Sequence, residues 1–209
     1  MRMEKTDVVK QTKLAFDFIQ KLYLETSYLI KEMQGILEQE EEEFQILRPS
    51  GYGITTFRSI GLDAGVIDWC IRKGAVFFVA KANTELSRGQ TITKFKPDLQ
   101  VIVLEFLLHD KDLDKPEIWV GIVNNIVSKA DNRKFESLTW KFAYYAKRIL
   151  HNIGQSKYED GEVSFDINMM KKYLYDIGSA EDIQQGLITP VLNLYRKKRT
   201  YCLPAKFYI

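Results

Sequence analysis

Histidine and cysteine are scarce in this chain: of 209 residues, two are His and two are Cys. His109 sits in a polar stretch, HDKDLD, and His151 follows an apolar helical pattern. No H-x-x-x-H pair exists, which argues against a zinc site. Cys70 and Cys202 form neither a C-x-x-C pair nor a ligand cluster, so no metal site is expected from them. Cys70 lies among apolar residues and reads as a small core side chain. Nothing else in the chain points to an oxidising compartment, so a Cys70–Cys202 disulfide is not expected. No stretch approaches the roughly 20 apolar residues of a membrane span. The opening MRMEKTDVVKQTK lacks the apolar centre of a secretory signal. The expectation is a cytoplasmic protein with no membrane contact.

An excess of one charge is missing too. Thirty Lys and Arg stand against 28 Asp and Glu, a formal net charge of +2. That balance neither demands nor excludes nucleic acid, so only local clustering can speak. There is no G-x-S-x-G nucleophile elbow, no phosphate-binding G-x-x-x-x-G-K and no dinucleotide G-x-G-x-x-G. The glycines of PSGYG, 49–53, read as a tight turn. No cofactor is expected.

What is present is an ordinary globular balance, 45% hydrophobic and 28% charged. Residues 7 to about 44 contain no Pro and one Gly. Leu14, Phe18, Leu22, Leu29, Met33, Ile36 and Leu37 recur at steps of three, four or seven, which predicts a long amphipathic helix with a break near Gly35. The run EQEEEEF, 38–44, places several carboxylates at that helix's C-terminal end, where the dipole disfavours them. A basic partner, inside the fold or outside it, would relieve this.

Three strand patterns occupy the middle: 75–82, 98–108 and 117–127. The link between the last two is too short for a helical crossover, so they should form an antiparallel pair. A helix is expected near 63–74, another over 134–151, and a short strand at VSF before a helix capped by Asp166. SKYEDGE, 156–162, reads as a loop. Ser179 and Asp182 loosely match a capping box. Thr189-Pro190 reads as a helix start, with an edge strand over 187–200 as the alternative. The ending LPAKFYI alternates like a strand. The pattern predicts an α+β fold: a long N-terminal helix, a central, mainly antiparallel sheet of about four or five strands, and C-terminal helices on its other side. Residues 1–47 form the helix, part of the same domain or an oligomerisation arm, and 48–209 form the globular domain.

Two arrangements bear on function. The first is KPDLQVIVLEFLL, 96–108. Its strand is apolar on both faces, so it should be central. Glu105 then points into aliphatic residues, at a cost of several kcal/mol unless it is paired. Pro97-Asp98 followed by Glu105 partly matches a divalent-metal nuclease, in which carboxylates hold Mg²⁺ and a Lys faces the phosphate. Lys81 is the candidate Lys. Against this, Asp98 and Glu105 are seven residues apart and face opposite sides of a regular strand. A core carboxylate paired with Lys81, Arg72 or another cation is the alternative. The second arrangement is LYRKKRTY, 194–201. Arg196, Lys197, Lys198 and Arg199 lie between Tyr195 and Tyr201, a pattern suited to phosphates and stacked bases. Lys147 and Arg148 add a second basic pair. The acidic 38–43 run docking on RKKR is a further reading.

The functional expectation is a non-enzymatic binding protein that acts through macromolecular contact, with nucleic acid or within a protein complex. A homo-oligomer through the N-terminal helix fits the same expectation. A metal-dependent nuclease built on Asp98, Glu105 and Lys81 is the rival.

Overall fold

The computed structural model describes residues 5–46, 55–56, 70–83, 99–109, 113–128, 155–159, 161 and 163–201. The fold is α+β, with a long N-terminal helix, an antiparallel sheet and a C-terminal helical segment. Helix α1 runs unbroken from Lys5 to Glu38, about 51 Å at 1.5 Å per residue. Gly35 does not interrupt it. The strands are β1 (Phe44–Ile46), β2 (Thr55–Thr56), β3 (Lys73–Ala80), β4 (Val101–Leu107), β5 (Glu117–Ser128), β6 (Gln155–Glu159) and β7 (Val163–Tyr173). Among the described residues they form one seven-stranded sheet in the order β1-β3-β4-β5-β7-β6, with β2 sharing the outer edge of β3. Every pairing is antiparallel, including the expected β4–β5 pair, where Glu105 stands opposite Trp119.

Two expectations fail on one segment. The residues after Asp166 form no helix: β7 runs to Tyr173 and pairs with β5 along nearly its whole length. SKYEDGE is not wholly a loop either, because Gln155–Glu159 is the edge strand β6. Phe165, Ile167 and Met169 are buried on one face of β7, the period of two that marks a strand. Gly121 on β5 lets β7 come close. A Cβ there would fall 2.0 Å from the Asn168 carbonyl oxygen, so no other residue fits without moving the backbone. At the far end of this pair β5 carries one extra residue between Asn124 and Val127. Asn125 takes it up at φ 51°, and its Nδ2 donates to Asp166 Oδ2 at 2.5 Å.

The C-terminal segment follows β7 through a 3₁₀ turn. Helix α2 (Ala180–Ile183) passes through a π-helical stretch, Gln184–Ile188, into α3 (Thr189–Tyr201). The 187–200 stretch is therefore helical. Ser179 is the N-cap: its Oγ accepts from Asp182 N–H at 3.1 Å. Asp182 returns the favour with Oδ2, which accepts from Ser179 Oγ–H at 2.9 Å and from Gly178 N–H at 3.0 Å. These bonds hold the Asp182 carboxyl below its ordinary range, that from Ser179 most of all.

The sheet buries both faces. Val76, Phe78, Ile102, Leu104, Phe106, Val120 and Ile122 pack with Leu29, Ile30, Met33 and Leu37 of α1 and with Leu187, Val191 and Tyr195 of the C-terminal segment. Each such side chain contributes about 1.5–3 kcal/mol by leaving water. Thus α3 lies on the same face as α1, not on the opposite one as expected; Tyr195 meets Phe44 edge-on at 5.0 Å, just after α1 ends. The second face gathers Ala75, Phe77, Val79, Val101, Val103, Trp119, Val123, Phe165 and Ile167. Cys70 is exposed and a free thiol, not a core residue.

Candidate functional site

The first candidate was the acidic strand. Glu105 is 1% exposed, on the second face between Ala75 and Trp119. Glu105 takes part in an interaction within the fold. Lys81 is not close in register: it lies six residues beyond Ala75, about 20 Å at 3.3 Å per residue, and its ammonium pairs with Glu43. Asp98 lies outside the described residues. The structure therefore does not bring Lys81 to Glu105 by register, and Glu117, a described carboxylate on the same face, stands opposite Leu107, two residues along β4. Among the described residues no group of three His, Cys, Asp or Glu gathers as a metal would need. On the same face, in the rows at and beside Glu105, Lys171 pairs with Glu117 at 3.0 Å and stands 5.7 Å from the Trp119 ring and 5.2 Å from the Tyr173 ring. Trp119 Nε1 donates to Glu117 Oε2 at 2.9 Å. The bond to Glu117 raises the Lys171 pKa, against a smaller opposing effect of burial.

The basic run is partly spoken for. Arg196 forks across the turn after α1: Nε donates to Glu42 at 3.0 Å, and Nη2 donates to Glu42 at 2.8 Å and to Glu40 at 2.9 Å. Glu42 first, then Glu40, push the guanidinium further above its ordinary pKa. The acidic run thus docks within the fold on Arg196 and, through Glu43, on Lys81, which relieves its conflict with the α1 dipole. Tyr195 is fully buried, so its ring supports the core and offers no face to a base. Lys197 is exposed. The side chains of Lys198, Arg199 and Tyr201, together with Lys147, Arg148 and the 134–151 pattern, lie outside the described residues, as does LPAKFYI.

A different surface emerges on α1. Its C-terminal half carries Leu29, Ile30, Met33 and Leu37 into the core, but residues 7–18 are exposed throughout. Val8, Val9, Leu14, Phe16, Phe18 and Leu24 are large apolar side chains facing solvent. Two of these, Leu14 and Phe18, belong to the stripe that predicted the helix. Phe18, one turn after Leu14, lines an open groove of about 540 Å³ between α1 and residues 174–183. Phe18, Leu22, Tyr28 and Leu29 form its α1 wall, Leu174, Tyr175, Ile177 and Ile183 the other, and Lys21, Glu25 and Glu32 bring charge to it. Behind α1, burial raises the Tyr23 pKa most, with Cys70 adding to it. Sequence reasoning missed the groove because its far wall depends on where 174–183 folds. The signal that was available is Tyr28, an exposed aromatic residue off the predicted stripe that lines the groove.

Comparison with known protein families, curated proteins and solved structures finds no match of any of the three kinds.

Proposed function

We propose that this protein is a non-enzymatic binding protein that acts within a protein complex, docking through the free half of α1 and the groove beside it. One observation carries this: five large apolar side chains, Val8, Val9, Leu14, Phe16 and Phe18, stand exposed on one half of a helix whose other half reaches the core. Exposed apolar residues scattered singly are normal, but Leu14 and Phe18 stand one turn apart on one face and Phe18 opens onto the groove, a place suited to another apolar surface. The basic run supports a nucleic-acid role less well, since Arg196 is already held by Glu40 and Glu42 and Tyr195 is buried. A Mg²⁺-dependent nuclease would have to recruit a cation other than Lys81.

The test is site-directed photo-cross-linking of the full chain in its native cells. A cross-linking residue at Phe18 should give discrete protein adducts that vanish when Leu14 is changed to Glu. The same residue at Lys157, exposed on β6, should give none. Equal labelling from the two positions would overturn the proposal.

A further inference from the structure

The helix itself carries information about what sits on this surface. Leu14, Phe18, Lys21, Glu25, Tyr28 and Glu32 follow one another at steps of four, three, four, three and four, so they line one stripe of α1. All six are exposed, Leu14 at 59%, Phe18 at 57% and Tyr28 at 56%. The stripe is complementary to its own reverse. Laid antiparallel on a copy of itself about a centre near residue 23, Phe18 meets Tyr28, Lys21 meets Glu25, and Leu14 reaches the turn of Glu32 and Leu29. Each contact occurs twice. Laid parallel and in register, Lys21 would face Lys21 and Glu25 would face Glu25. The charges of the whole helix have the same sense. From Lys5 to Lys21 there are four Lys against two Asp, and from Leu22 to Glu38 three Glu against one Lys, +2 against −2.

We infer that the partner on this surface is α1 of a second copy of this chain, seated antiparallel so that Lys21 of each copy pairs with Glu25 of the other and Phe18 packs on Tyr28. The inference rests on the docking role proposed above and adds the identity of the partner. The arrangement is isologous, one patch serving both subunits, so the contact closes as a dimer and does not propagate. The aromatic pairs supply apolar burial, and the reciprocal ion pairs fix direction and register.

Sedimentation equilibrium of the full chain tests it. The wild type should self-associate as a dimer. Lys21→Glu and Glu25→Lys should each weaken association about tenfold or more, because each replaces two ion pairs with two like-charge contacts. Mixing the two variants should restore a dimer of wild-type strength, since every Glu then meets a Lys. The double variant Lys21→Glu/Glu25→Lys should also recover it. Thermal unfolding of both single variants, whose changes are exposed, verifies that they fold. A wild type that stays monomeric at several hundred micromolar would overturn the inference. So would a dimer that ignores both charge reversals, or one that the mixture does not restore. If the chain is monomeric yet the cross-linker at Phe18 still traps a different protein, the docking role stands and self-pairing falls; if the cross-linker traps nothing, both fall.

Discussion

The two halves of α1 share one helix and one period but not one fate. From Leu22 onward the inward positions meet the sheet: Leu29, Ile30, Met33 and Leu37 are buried, and the chain leaves through an acidic turn clamped by Arg196 and Lys81. Before Leu22 the same spacing leads to side chains in solvent. An isolated helix of this length draws little stability from propensity alone, so the buried half holds the exposed half in shape. Amphipathic spacing therefore reports a helix reliably, while which part of the stripe becomes core depends on where the sheet ends.

Shortening an apolar side chain in each half gives the largest contrast. Met33→Ala should cost about 2–5 kcal/mol in chemical denaturation, the usual range for a buried long side chain cut to Ala. Phe18→Ala should stay within about 0.5 kcal/mol for the isolated subunit, measured at a concentration where it is dissociated. If both cost the same, Phe18 is core after all and the division of the helix is wrong.

A finer comparison uses two threonines. Thr26 Oγ1 donates to the Leu22 carbonyl and Thr12 Oγ1 to the Val8 carbonyl, both at 2.8 Å, and only Thr26 is buried. Thr26→Ala should destabilise by about 1–2 kcal/mol through its lost methyl and hydroxyl contacts. Thr12→Ala should be neutral or slightly stabilising, since Ala is the better helix former. Urea midpoints of the two variants give the comparison directly.

The smallest effects lie at the ends of the buried half. Arg196→Ala should cost at most about 1 kcal/mol, less at high salt, because its side chain is 43% exposed. Titration touches Asp182, which is bonded to Gly178 and Ser179 of the groove's other wall. Its folded-state pKa is depressed, so the folded chain binds that proton less readily than the unfolded chain. The stabilisation is present above the unfolded carboxyl value and is lost as pH falls through the folded one. Ser179→Ala should reduce this acid-side loss, read from denaturation midpoints across the acidic range.

Much of the architecture was legible because its cues are local. α1 followed from period 3.6, the β4–β5 pair from a link too short to cross the sheet, and the Ser179 start from a cap and an acid three residues on. That acid is Asp where a capping box has Glu; being shorter, it reaches the Ser179 hydroxyl and the Gly178 N–H. The β7 error has a physical cause. Ile167, Met170, Leu174 and Ile177 carry helical spacing, yet Met169 and Met170 are apolar neighbours because both faces of the strand have a core to meet. A strand covered on both sides loses the alternation that identifies it. β6 was hidden the other way: of its polar residues, Tyr158 supplies the packing, 5.0 Å from Phe165. The docking surface was half legible. Leu14 and Phe18 were seen as a helical stripe, but their exposure is set by the tertiary arrangement.

The clamp on the acidic turn also has a consequence for how the protein is made. Arg196 and Glu42 are 154 residues apart in the chain. At the usual 5–20 residues per second, a ribosome needs about 8 to 30 s to travel from one to the other. For that interval α1 and its carboxylate-rich exit wait without α3, and Phe44 waits without Tyr195. Because α1 is made well before α3, the nascent chain shows a helix with exposed apolar side chains to the cell well before its clamp can form.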